Sequence, residues 1–186
     1  MKPGGEVRII GGLWKRSKLP VAQLPGLRPT PDRVRETLFN WLGQDLSGWH
    51  CADPFAGTGA LGFEAASRGA ASVWLGESSS HCIEVMQKNA ERLKATGLRL
   101  QRGDGLSMLR QQAPNSLDLV FLDPPYDFPH YDHALQSARA CLKPGGFVYV
   151  EYSQAWPTDT LVAAGWELRK HLKAGAVHAH LLQAAA

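Results

Sequence analysis

Cysteine is scarce in this 186-residue chain, and so are long apolar runs. Cys51, Cys82 and Cys141 are odd in number, far apart and set among apolar residues. That pattern argues against a disulfide framework and against a zinc site, and it fits a reducing compartment. No apolar run approaches the roughly 20 residues of a membrane span. The N-terminus also lacks the apolar stretch of a secretory signal, so a cytoplasmic location is expected. Acidic residues are missing mainly at one end. Residues 1–35 hold eight Lys and Arg against Glu6 and Asp32, a net +6, although the whole chain carries only +3. A basic segment on a mildly acidic body points to a polyanionic partner near that end.

What is present is ordinary globular material, 44% hydrophobic and 20% charged, enough for one domain with a short appendage. The expected division is a basic N-terminal extension over residues 1–29 and a main domain over 30–186. In the extension, Val7–Ile10 and Lys18–Val21 read as short strands around a Gly11-Gly12 turn. Thr30 has the character of an N-cap, with Pro31 at the first helical position and Asp32 in the first turn. Val34, Leu38, Trp41 and Leu42 then give that helix one apolar face.

From residue 49 the chain alternates. Trp49–Asp53, Ser72–Glu77, Leu98–Gln101, Leu117–Leu122 and Phe147–Tyr152 are strand-like. Helical runs lie between them near 60–68, 80–95, 105–112 and 131–142, and Lys143-Pro144-Gly145-Gly146 reads as a helix stop and turn. Such alternation with short links specifies a doubly wound α/β sheet, mostly parallel. Glu167–Lys173 and Val177–Leu182 around Gly175 add a closing antiparallel hairpin, for seven strands in all.

The first sheet strand runs into Asp53-Pro54-Phe55-Ala56-Gly57-Thr58-Gly59-Ala60-Leu61-Gly62, which contains G-x-G-x-x-G. Glu77 closes the next strand, 24 residues after Asp53. A glycine turn lets a ligand approach the backbone, and an acid ending the second strand can accept from two ribose hydroxyls. A nicotinamide dinucleotide and S-adenosylmethionine both fit that outline. Asp53 favours the second, because a pyrophosphate wants a helix N-terminus free of negative charge. S-adenosylmethionine instead brings an ammonium and a sulfonium. Asp104, in Arg102-Gly103-Asp104-Gly105, is placed to meet the adenine amine.

The fourth strand ends in Asp123-Pro124-Pro125-Tyr126. In an open parallel sheet this end lies outside the strand termini, beside the first strand, and so faces the cofactor. Its chemistry suits methylation of an exocyclic amine on a nucleobase. The lone pair of such a nitrogen is conjugated with the ring, so the nitrogen must pyramidalise to attack, and its N–H groups need acceptors. The Asp123 carboxylate supplies one and the Pro124 carbonyl, stiffened by Pro125, supplies another. Tyr126 offers a face on which an extruded base can stack.

With these motifs the chain resembles the RsmD family, bacterial methyltransferases acting on guanine N2 of small-subunit ribosomal RNA. Arg8-Ile9-Ile10-Gly11-Gly12 and Arg28-Pro29-Thr30-Pro31-Asp32-Arg33-Val34-Arg35-Glu36 carry the family likeness. Asp53–Gly62 and Asp123–Tyr126 carry that of the wider superfamily with its Rossmann-like class I fold. The resemblance implies an S-adenosylmethionine pocket made by Asp53, Phe55, Gly57, Thr58, Gly59, Glu77, Asp104 and Gly105. It also implies a catalytic set of Asp123, Pro124, Pro125 and Tyr126, with RNA contacts from Arg8, Lys15, Arg16, Arg28, Arg33 and Arg35. The implied partner is ribosomal RNA within a partly assembled small subunit, bound by a monomer. Where family members commonly show E-x-D after the second strand, Glu77-Ser78-Ser79 keeps only the first acid, so Glu77 alone is expected to hold the ribose.

Two other readings remain open: a DNA adenine-N6 methyltransferase, and a non-catalytic RNA-binding assembly module on the same shell. The first would need a DNA-recognition domain for which the chain has little room, and intact Asp123 and Tyr126 speak against the second. His130 and His133 with Asp127 and Asp132 lack further ligands at a recognised spacing, so no metal is expected. Asp127–Tyr131 reads as a loop over the substrate. His178 and His180 alternate on a strand and are expected to share an exposed face.

Overall fold

The alternating runs become five parallel strands because the inner ones are apolar on both sides and need cover on both faces, while Leu98–Arg102, at the sheet edge, stays largely exposed. The computed structural model describes residues 5–185, so Lys2 of the basic count lies outside the described residues. The parallel strands are β3 (His50–Asp53), β4 (Ser72–Glu77), β5 (Leu98–Arg102), β6 (Leu117–Leu122) and β7 (Leu142–Tyr152). They alternate with α2 (Ala60–Ser67), α3 (Ser80–Leu93), α4 (Gly105–Leu109) and α5 (Tyr131–Cys141). The expected hairpin forms as β8 (Trp166–Ala174) and β9 (Val177–Ala184), preceded by α6 (Thr158–Ala163), a helix the periodicity did not reveal. The seven-stranded sheet has the order β5-β4-β3-β6-β7-β9-β8, with β9 antiparallel to both neighbours. The winding reverses between β3 and β6, so the chain diverges from their carboxyl ends and leaves a crevice there.

Side-chain alternation divides the core between the two faces. From β6, Leu119 and Phe121 pack on one side, while Val120 and Leu122 pack on the other with Ala134, Leu135 and Ala138 of α5. On the first side Phe121 lies between Phe39 and Tyr149, with ring centroids 6.3 and 6.4 Å apart. Phe39 belongs to α1 (Asp32–Trp41), which buries Val34, Leu38 and Phe39 and leaves Trp41 only half-buried.

The N-terminal segment differs in detail from the expectation. β1 (Glu6–Arg8) and β2 (Lys18–Pro20) pair antiparallel, but each is three residues long. A nine-residue loop replaces the tight Gly11-Gly12 turn, and it is pinned to α2. The Leu13 amide donates to the Ser67 carbonyl (2.7 Å), and a Cβ on Gly12, at φ +78°, would stand 1.9 Å from that oxygen. Val7, Ile9 and Leu19 enter the main core. Burying each is worth about 1.5–3 kcal/mol, so the ribbon packs as part of the body.

Residues 143–146 stop α5 as expected but make a bulge instead of a free turn. Leu142 pairs with Leu117 and Phe147 with Leu119, so four residues, three more than regular pairing needs, bow out opposite Asp118. The histidine expectation is corrected too. His180 is wholly buried, and its Nε2 accepts from the Trp156 amide. The β9 face carrying it is covered by the segment before α6.

Candidate active site

Each of the five parallel strands has an acid within two residues of its end: Asp53, Glu77, Asp104, Asp123 and Glu151. All therefore stand on the carboxyl edge of the sheet, where the crevice opens. The β3–α2 turn uses glycine where no other residue fits. Gly57 (φ +55°) and Gly59 (φ +81°) are left-handed, and a Cβ on Gly59 would stand 2.8 Å from Met86 Sδ. A Cβ on Gly62 would stand 2.3 Å from Leu75, so the third glycine of the motif lets α2 lie against β4. Thr58 is buried and its hydroxyl accepts from the Ala60 amide (3.3 Å), which orders the first turn of α2.

Asp53 is 1% exposed, and neither carboxylate oxygen has a hydrogen-bond partner among the described residues. Burial pushes its carboxyl up to about 7, the Gly62 backbone amide opposing the rise and the Glu77 charge adding a little. A buried acid without a partner is costly unless a donor or cation comes to it. S-adenosylmethionine carries such groups, and the bare glycine turn leaves room for its backbone approach, so the residues fit the expected cofactor. The folded, ligand-free protein should therefore hold a proton on Asp53 between about pH 4 and 7 that the unfolded chain has released. Its unfolding free energy from this group falls as pH rises through that window. Differential scanning calorimetry should show Tm rising on acidification from pH 7.5 to 5.5, with a shallower slope in Asp53→Asn.

Glu77 is not simply free for a ligand. Its Oε2 accepts from the Gly57 amide (2.9 Å) and its Oε1 from the Ser79 amide (2.9 Å), so it ties the glycine turn to the start of α3. Ser79, where the expected second acid is missing, is the N-cap of α3, and its hydroxyl accepts from Cys82 N (3.3 Å). Serine serves that capping role as well as aspartate does. Asp104 likewise caps α4, accepting from Ser107 N (2.8 Å), and the Ser107 hydroxyl, with that amide second, holds its carboxyl below the usual range. Gly105 follows with its Cα against the cofactor turn, since a Cβ there would stand 2.0 Å from the Pro54 carbonyl oxygen. Gly105→Ala must push Pro54 and Phe55 aside. Isothermal titration should show S-adenosylmethionine affinity falling at least about tenfold, with stability lowered by roughly 1–3 kcal/mol from overpacking.

β6 pairs directly with β3, so Asp123 emerges beside the glycine turn. It is partly exposed, Pro124 is buried, and Pro125 and Tyr126 are open. The Pro125 carbonyl accepts from Phe128 N (2.9 Å), which closes the loop. Tyr126 is 89% exposed, so its ring faces are free to receive a base. The two loops touch through Phe55 and Phe128, edge to face at 5.1 Å, and Phe128 rests in turn on Tyr131. The segment expected to cover the substrate is thus linked to the cofactor turn.

Sequence reasoning missed the parts taken here by Thr30, Tyr149 and Glu151. Thr30 does not cap α1: Pro31 precedes the helix without a side-chain cap, and the Thr30 hydroxyl reaches Asp123 Oδ2 and Glu151 Oε1, each 3.3 Å away. As a cap the hydroxyl would accept from a backbone amide; here it donates to a carboxylate instead, a charge-assisted bond and the stronger of the two. Glu151 accepts from the Tyr149 hydroxyl (2.7 Å), and Tyr131 donates to the Glu151 carbonyl (3.1 Å). The signal for Glu151 was the acid closing Phe147–Tyr152, like the acids at the ends of the other strands.

Among the basic candidates, Arg8, Lys15, Arg16, Arg28 and Arg33 are exposed. Arg35 is not, and the expectation that it meets RNA is corrected. It is 1% exposed, donates to Glu64 (3.1 Å) and to the Thr30 and Arg8 carbonyls, and pairs with Asp32. Its place three and four residues before Leu38 and Phe39 puts it on the inward face of α1, which forces burial. Arg28 and Arg33 flank Thr30 and so lie near the crevice. Lys15 and Arg16 sit in the loop pinned to Ser67, at the far end of α2 from the glycine turn. Eight helical residues, about 12 Å, separate the two regions.

The family model described as Conserved hypothetical protein 95 matches residues 7–183. The Ribosomal RNA small subunit methyltransferase D of Haemophilus influenzae is 41% identical over 184 aligned residues, covering 96% of this chain and 94% of its own. Its counterpart in Escherichia coli K12 is 40% identical over 183, covering 96% and 90%. The solved structure of yhhF from Escherichia coli superposes with a TM-score of 0.83 at 39% identity, covering 98% of this chain and 99% of that one. HI0767 from Haemophilus influenzae gives 0.80 at 37% identity, covering 98% and 100%.

Proposed function

The chain belongs to the RsmD family of ribosomal RNA small subunit methyltransferases, and we propose that it methylates the exocyclic N2 amine of a guanine in that RNA. Its fold is the Rossmann-like class I fold of methyltransferases. One observation carries the reading. At the switch point, a buried carboxylate without a partner, Asp53, stands in the strand next to a partly open one, Asp123, with the exposed Tyr126 ring three residues on.

S-adenosylmethionine, when bound, supplies an electrophilic methyl on a positively charged sulfur. Asp53 and the turn through Gly57 and Gly59 would hold its amino-acid end, and Glu77 and Asp104 its nucleoside. Asp123 and the Pro124 carbonyl orient the amine of the base by accepting its two N–H groups. Positive charge that grows on the nitrogen then meets a preformed negative environment. Tyr126 holds the base in plane by stacking, and Phe55 with Phe128 keeps water away. The substrate we assign is RNA within a partly assembled small subunit, met by a monomer in the cytoplasm.

Tritiated S-adenosylmethionine and subunits from cells lacking the protein test this directly. Label recovered as N2-methylguanosine is the expected result. Label on adenine, or on DNA alone, would replace the proposal with the adenine-N6 reading, and tight RNA binding without label would leave an assembly module. The exposed arginines carry a separate expectation. Replacing Arg8, Arg28 and Arg33 together should weaken RNA binding. It should also reduce the slope of log K against log salt by about 2, three phosphate contacts at about 0.7 each on single strands. A slope equal to wild type would remove them from the RNA interface.

A further inference from the structure

Glu151 belongs to no motif, yet it neighbours the carboxylate on which the proposed reaction turns. It is the penultimate residue of β7, whose Val150 pairs with Leu122 of β6, the residue before Asp123. The Thr30 hydroxyl lies 3.3 Å from Asp123 Oδ2 and 3.3 Å from Glu151 Oε1. A hydroxyl has one proton, so Thr30 can donate to only one of them at a time. Tyr149 donates to Glu151 Oε1 at 2.7 Å and fixes that carboxyl from the other side. Asp53 from β3 and Tyr131 from α5 are the remaining titratable groups facing the pair, with Tyr152 from β7 packed behind Tyr131. Asp53 is buried as well, and its charge adds to the crowding at Asp123.

We propose that Glu151 is a positioning residue: it shares one proton with Asp123, anchored by Tyr149 and Thr30, and the pair takes up the proton that the methylated amine sheds. This rests on reading the site as an amine methyltransferase. Burial first, and then the Glu151 charge, push the Asp123 carboxyl well above its ordinary range. Burial raises Glu151 as well. Two carboxyls so placed cannot both ionise near neutrality, so they titrate as a pair in two steps. Before reaction the pair holds one proton and one negative charge. Once the nitrogen has gained its methyl it is cationic. One N–H bond then breaks, its electrons stay on nitrogen, and the proton passes to the anionic oxygen of the pair. The pair now holds two protons and is neutral, and it returns one to solvent as product leaves. No further reactant is required.

Carbon-13 NMR of protein labelled at the Asp and Glu carboxyls reads the pair without any substrate. The expected result is two coupled titrations, the upper one well above the ordinary carboxylate range. In Glu151→Gln a single Asp123 titration should remain, moved to lower pH. Single-turnover methylation should then show its acid limb at that single titration instead of at the lower of the two, with the rate constant lowered at least roughly tenfold and the half-saturating RNA concentration unchanged. Thr30→Val keeps both carboxyls and should move the two titrations while preserving the fold. Independent titrations in the ordinary range, or an acid limb that Glu151→Gln leaves in place, overturn the proposal while the methyltransferase reading stands. A coupled pair in a wild-type protein that transfers no methyl to RNA overturns that reading, and the proton-taking role falls with it.

Discussion

Asp123→Ala should lower single-turnover methyl transfer by about 10²–10³ while leaving S-adenosylmethionine binding and the fold intact. Loss of one preorganised polar partner at a developing charge typically costs that much, about 2.7–4 kcal/mol. In the proposed reaction Asp123 accepts from the substrate amine, and no neighbouring side chain is placed to substitute for it: Glu151 is tethered to Tyr149 and Thr30, and Asp53 lies buried in the glycine turn. Stability should move the other way. Asp123 is held beside Glu151 and near Asp53, and its carboxyl is raised by burial and by both charges. A group whose pKa is raised on folding favours the folded state less as pH climbs past its unfolded value. Removing it should therefore raise the Tm of the ligand-free protein at pH 8. Asp123→Asn separates two roles, since the amide keeps an acceptor oxygen but cannot take a proton. Its activity should lie between those of alanine and wild type. Equal activity in wild type and Asp123→Ala would end the catalytic reading.

The second large effect lies outside the site. Glu64, in α2, is fully buried and accepts from four groups: the Ile10 and Gly11 amides, Arg35 Nη1 (3.1 Å) and Arg68 Nε (3.0 Å). It joins the N-terminal ribbon, α1 and α2 through one carboxylate. Breaking a buried ion pair by removing one member typically costs 3–5 kcal/mol, because the partners keep their charge without compensation. Glu64→Ala takes the buried carboxylate from two buried guanidiniums and from the Ile10 and Gly11 amides at once, so the cost belongs at the upper end. For a chain of this length that lowers Tm by about 10–20 °C. Limited proteolysis should cut first between residues 5 and 20, since the ribbon loses its tie to α2. Arg35→Ala should behave similarly, whereas Arg33→Ala, on the exposed side of the same helix, should stay within about 0.5 kcal/mol of wild type. Similar melting points for the two arginine variants would contradict the burial of Arg35.

Those two arginines show where the chain could be read directly and where it could not. Period and composition determined the sheet, because runs such as Leu117–Leu122 can be satisfied only between two helical layers. Gly57, Gly59 and Gly62 were legible because positive φ and close approach exclude every other residue, whatever packs nearby. Asp123–Tyr126 was legible because two prolines, an acid and a ring have few joint uses at the end of a strand. Arg35 and Thr30 were not, since arginine and threonine each suit several environments. Which one they meet depends on residues 29 to 121 positions away in the chain: Glu64, Asp123 and Glu151. Glu151 is the clearest instance. Alone, an acid at the end of a strand is unremarkable, and only the pairing of β7 with β6 sets it against Asp123. Local sterics and periodicity decide the layers, the glycine turn and the acid at the carboxyl end of β6, so these were legible in the chain alone. Tertiary structure alone decided which arginine is buried and which second acid shares the site, because charge pairing across strands is a property of distance in space.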